Sequence, residues 1–129
     1  MARVLALVPD LLFGSRVQGS LEGAGHEVEL IGDEDRLLER LADPHAPPAA
    51  VLVVDLTDAS LDGASILASL TRGESLASLR TLAFYAHVDR AVRERAEAAR
   101  FDLVVPRSRM NREGARLLEQ LLAGAGAPE

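Results

Sequence analysis

Ala49-Ala50-Val51-Leu52-Val53-Val54-Asp55 is the most apolar run in the chain, and it ends abruptly in a carboxylate. Six consecutive apolar residues leave no polar face for water, so the segment reads as a strand covered on both sides, as in a parallel sheet packed between helices. Val4-Leu5-Ala6-Leu7-Val8 has the same character and stops at Pro9-Asp10. Leu79 to Tyr85 and Phe101 to Val105 supply two more strands. Glu27 to Ile31 alternates charged and apolar side chains, as expected of an outer strand with one wetter face.

Between these runs the apolar period changes from continuous to helical. Leu12, Val17 and Leu21 place a first helix over Leu11 to Ala24, and Gly23-Ala24-Gly25 supplies a left-handed stop. Asp33 is placed to cap a short helix carrying Leu37, Leu38 and Leu41. Asp43-Pro44-His45-Ala46-Pro47-Pro48 cannot continue it, because proline lacks the amide and disfavours helix before it. Asp62-Gly63 opens a helix with Ile66, Leu67 and Leu70, which Thr71-Arg72-Gly73-Glu74 breaks. Asp89 begins a charged helix through Ala99, and Asn111 is the expected cap of a last helix through Leu122. The expected organisation is one domain over residues 1–123, followed by a flexible tail over 124–129.

Five strands alternating with five helices predict an α/β, flavodoxin-like, doubly wound parallel sheet of order 2-1-3-4-5 with helices on both faces. Right-handed crossovers allow little else in 129 residues. Ligands and chemistry in such sheets sit beyond the C-terminal strand ends. The residues placed there are Asp10, Asp55, Tyr85, Ala86 and the Pro106-Arg107-Ser108 loop.

Composition narrows the function. Twenty Asp and Glu against fourteen basic residues give a net charge of −6, which repels nucleic-acid phosphates and argues against a nucleic-acid partner. Cysteine is absent, which removes disulfides, thiolate metal sites and thiol nucleophiles. No apolar run approaches the roughly 20 residues that span a bilayer. The expectation is a cytoplasmic protein with no membrane partner.

Asp55 ends one central strand and Asp10 its expected neighbour. Two carboxylates at one crevice can hold a hard divalent cation such as Mg2+ through oxygen, or leave one carboxylate as a nucleophile toward phosphorus. The simpler readings are that Asp55 binds loop amides, that Asp10 and Asp62 cap helices, and that His26, His45 and His87 are loop or surface imidazoles. Tyr85 reads as a packed phenol, and Arg107 and Arg109, flanking Ser108, as solvated or anion-binding.

With Asp55 at the end of Val51-Leu52-Val53-Val54 and Asp62-Gly63 downstream, the sequence resembles a response-regulator receiver domain (CheY-like) over about residues 3 to 122. The resemblance implies two-component signalling, with Asp55 as phosphoacceptor and Asp10, Asp55 and Thr57 at the metal. It also implies Tyr85 and Ala86 near the phosphoryl group. Receivers place two adjacent acids after the first strand, where Pro9-Asp10 stands here. They place a small hydroxyl residue where Tyr85 stands, and a lysine before the proline after the fifth strand, where Val105 stands. The chain contains no lysine. Arg107 or Ser108 would have to contact phosphate in its place, and guanidinium and ammonium are not interchangeable at a tight site.

These departures suggest an atypical or pseudo-receiver, not an enzyme beyond autophosphotransfer onto Asp55, that acts by protein contact with weakened or absent phosphorylation. Its expected partners are a histidine kinase or effector, or a second copy through the face of the fourth helix, fifth strand and fifth helix. A working phosphoacceptor in a phosphorelay is one alternative. A small-molecule-binding flavodoxin-like domain is another, although Pro9 to Ser15 is not a hydroxyl-rich phosphate loop and no dinucleotide fingerprint is present.

Overall fold

The computed structural model describes residues 2–57, 79–85, 90–91, 94 and 101–123. They form five parallel strands, β1 (Arg3–Leu7), β2 (Glu27–Ile31), β3 (Val51–Asp55), β4 (Arg80–Tyr85) and β5 (Leu103–Pro106), in the order β2-β1-β3-β4-β5. The helices are α1 (Leu11–Gly23), α2 (Glu34–Ala42) and α3 (Arg107–Leu122). The expected helices near Asp62 and Asp89, the tail, and residues Ala86 and His87 lie outside the described residues or are described only at isolated positions.

Alternation along the strands divides the core into two layers. Val4, Ala6, Val51, Val53, Leu82, Phe84 and Val105 face α1 and α3, where they meet Phe13, Val17, Leu21, Leu117, Leu118 and Leu121. Leu5, Leu7, Leu52, Val54 and Ala83 face the other way and pack with Leu37, Leu38 and Leu41 of α2. Every residue of β3 is buried, which is why that strand had to be apolar on both faces. Phe84 is fully buried, and an aromatic side chain so placed contributes about 1.5–3 kcal/mol through removal of its surface from water.

Local chemistry sets the element ends. Asp33 caps α2 by accepting from the Arg36 amide at 2.8 Å. After α1, the His26 amide bonds back to the Leu21 carbonyl at 3.1 Å and the Gly25 amide to that of Glu22 at 3.0 Å. This is a Schellman stop, and it needs Gly25 at φ 98°.

The last helix corrects a sequence expectation. It begins at Arg107, not after Asn111, with Pro106 at the cap position (φ −66°, ψ 150°) and no side-chain cap. The proline ring favours that extended entry, so the chain turns from strand to helix without the Asx signature that made Asn111 attractive. The helix is interrupted at Glu113 (φ −128°, ψ 20°), just before Gly114 packs on Met110. Starting the helix five residues early places Arg107 at the mouth of the sheet.

Candidate functional site

Beyond the C-terminal strand ends, three layers of contact build the crevice. Innermost is Asp55, 1% exposed, in register with Phe84, which is itself in register with Val105. Asp55 Oδ1 accepts from the Thr57 amide at 2.7 Å and from its hydroxyl at 2.5 Å. The threonine therefore fixes the rotamer of the carboxylate and orders the turn that leaves β3. The row Asp55–Phe84–Val105 crosses the sheet on one face, with an aromatic ring next to the acid and an isopropyl group one strand further on. Val105 is 1% exposed, so no cationic side chain enters the row from β5.

The middle layer is aromatic. Phe13, from the first turn of α1, meets Phe84 with ring centroids 5.2 Å apart and planes at 52°, a tilted geometry that suits the ring quadrupoles. The outer layer is charged. Arg107 lays its guanidinium over the Phe13 ring, 4.1 Å from the centroid, and lies 3.6 Å from Asp10 Oδ2. Asp10 Oδ1 meanwhile accepts from the amides of Leu12 at 2.9 Å and Phe13 at 3.1 Å. Asp10 is thus the helix cap the sequence suggested, and it is an ion-pair partner as well.

The remaining candidates separate from this group. Tyr85 is buried and in register with Pro106. By strand alternation it belongs to the face opposite Phe84 and Asp55. Ser108 is exposed in the first turn of α3, and Arg109 pairs along the helix with Glu113 at 3.8 Å. Ala86 lies outside the described residues. The β4–β5 register is unshifted: Val105, not Arg107, stands across from Phe84.

Sequence reading missed Phe13 as the platform for Arg107; its signal was its place three residues after the capping Asp10, on the α1 turn that faces the sheet. It also missed the clasp at the other end of β5. There the Thr81 amide and hydroxyl donate to Asp102 Oδ2 at 2.8 and 3.1 Å, and the Asp102 amide donates to the Thr81 hydroxyl at 2.9 Å.

The order β2-β1-β3-β4-β5, with an aspartate ending the third strand, is the fold of response-regulator receiver domains (CheY-like). Among solved structures, the phosphorylated cyanobacterial phytochrome response regulator RcpA matches with a TM-score of 0.80 and 14% identity over 99% of both chains. The receiver domain of a Francisella response regulator matches with a TM-score of 0.79 and 17% identity, covering 97% of this chain and 99% of that one. The NarL receiver domain of Mycobacterium tuberculosis is 22% identical with a TM-score of 0.73, over 95% and 97%. No family profile and no curated protein matches the chain by sequence. None of the described helices is long and apolar enough to cross a membrane.

Proposed function

We propose that the chain is a receiver-type signalling module that acts by binding another protein, with phosphoryl transfer to Asp55 weak or absent. The observation that carries this reading is the row Asp55–Phe84–Val105. A phosphoryl group added to Asp55 would bring further negative charge into a buried position beside the Phe84 ring, with Val105 next in the same row. Burying such charge is costly unless a cation reaches it. Among the described residues Arg107 is a cation at the mouth, and it is already engaged by Asp10 and Phe13.

The partner classes that fit are a histidine kinase, a separate effector, or a second copy of the chain. The test is incubation of the purified protein with magnesium and acetyl phosphate, read by intact mass, and with beryllofluoride, read by amide NMR, with Asp55→Asn as control. The expected result is no adduct and no localised shifts on a folded protein. An adduct lost in Asp55→Asn would instead establish a working phosphoacceptor, in keeping with the phosphorylated form of the similar regulator RcpA. Light scattering at high concentration tests self-association; a strictly monomeric mass leaves a kinase or effector as the partner.

A further inference from the structure

We propose that Arg107 is the resident cation of this crevice and that it excludes a divalent metal ion from Asp10. Receiver folds imply Mg2+ at the position of Asp10, Asp55 and Thr57, and the residues present do not fit that ion. Mg2+ demands near-octahedral oxygen geometry and is usually held by one or two carboxylates together with water. Asp10 Oδ1 accepts from two helix amides, and Oδ2, on a side chain that is 48% exposed, lies 3.6 Å from the Arg107 guanidinium. Asp55 Oδ1 holds the Thr57 amide and hydroxyl together. Pro9 stands where a second acid would add charge. Among the described residues no three His, Asp or Glu side chains gather at metal-holding distance.

Arg107 is fixed by more than its charge. It is the first residue of α3, set by the Pro106 cap, and its planar group stacks on Phe13. Stacking and a carboxylate contact together suit a guanidinium and not an ammonium. A metal ion approaching Asp10 Oδ2 would displace the Arg107 contact and meet that positive charge within a few ångströms, while Oδ1 keeps the helix cap. A unit positive charge about 4 Å from a divalent ion weakens its binding on the order of tenfold or more even at the dielectric of water. The crevice therefore carries its own cation, and its conformation is independent of magnesium. The proposal stands on this geometry and not on the signalling reading above.

The test is a titration of the full chain with MgCl2 and with MnCl2 at constant ionic strength. It is read by amide shifts and by paramagnetic broadening around Asp10, Phe13 and Asp55, with no phosphodonor present. The wild type is expected to show no saturable site below millimolar metal. Arg107→Met keeps an apolar stem on Phe13 but removes the charge, and is expected to bind Mn2+ at least about tenfold more tightly than the wild type. Arg107→Lys keeps the charge but loses the stack on Phe13, and should bind Mn2+ more weakly than Arg107→Met does; Asp10→Asn added to Arg107→Met should abolish the gain. Submillimolar binding by the wild type at these residues would overturn the proposal. So would an Arg107→Met protein, shown folded by its NMR spectrum, that binds no better. If that variant does not fold, Arg107→Gln takes its place under the same two criteria.

Discussion

Asp102 stands just before β5, the strand that carries the chain to Arg107, and its carboxylate is the acceptor of the Thr81 clasp. Thr81 is 3% exposed, so its amide cannot turn to water when the carboxylate is removed. Asp102→Ala thus loses two bonds to a charged acceptor, at 2.8 and 3.1 Å, and leaves a buried N–H without that acceptor. A bond to a charged group contributes about 1.5–3 kcal/mol and an orphaned buried donor costs about 1–3 kcal/mol. These overlap in the same atoms, so the expected loss is about 2–3 kcal/mol rather than the sum. Thr81→Val removes only the hydroxyl, and the partly exposed Asp102 can recover hydration; about 1 kcal/mol is expected. The assay is urea denaturation followed by far-UV circular dichroism, which suits a chain with no Trp and one Tyr. With a slope of about 2 kcal/mol per molar, Asp102→Ala should lower the midpoint by about 1–1.5 M, and Thr81→Val by about 0.5 M. The double variant should cost little more than Asp102→Ala alone, because the two residues share their bonds. An Asp102→Ala midpoint within 0.2 M of the wild type, or strict additivity, would refute the reasoning.

Other perturbations probe separate parts of the structure. The Glu29 carboxyl is held below its ordinary value of 4.5 by the hydrogen bond from Arg40, against the opposing effect of burial and with further attraction from Arg40 and Arg3. Its contribution is therefore present above its ordinary value of 4.5 and lost as the pH falls through the lowered folded-state value; Glu29→Gln should lose that part of the acid sensitivity below pH 4.5, measured as thermal midpoints against pH. Asp10→Ala removes the α1 cap and should cost about 0.5–2 kcal/mol, whereas Asp10→Asn should cost less; chemical denaturation distinguishes the two. Phe84→Ala leaves a cavity beneath Phe13 and should cost about 3–5 kcal/mol, and amide NMR should show the Arg107 region shifted as well, since its platform loses support. Normal stability in Phe84→Ala would contradict the packing described.

The strands were legible because burial on both faces leaves a plain trace. β1 and β3 could not be central in a parallel sheet without being apolar throughout, and Val4–Val8 and Val51–Val54 are. Glu27 to Ile31 alternates because β2 is an edge, and the sequence bounds for that strand match the observed ones. The cap on α1 was legible too, since an aspartate before a helical period has one favoured use. The start of α3 was not. Pro106 enters a helix without a side-chain bond, while Asn111, a better cap by chemistry, lies in the helical stretch before the kink at Glu113.

The sequence alone thus determines the strand order, the burial of Asp55 at a strand end, and the absence of lysine from the crevice. These follow from local hydrophobic period and residue identity, which folding does not alter. Tertiary structure alone decides that Arg107 reaches across to Phe13 and Asp10, that Tyr85 alternates to the face away from Asp55, and that Thr81 meets Asp102. Each depends on the register of β4 against β3 or β5, or on the packing of α1 beside α3. Such contacts join residues 21 to 97 positions apart, and no period along the chain encodes them.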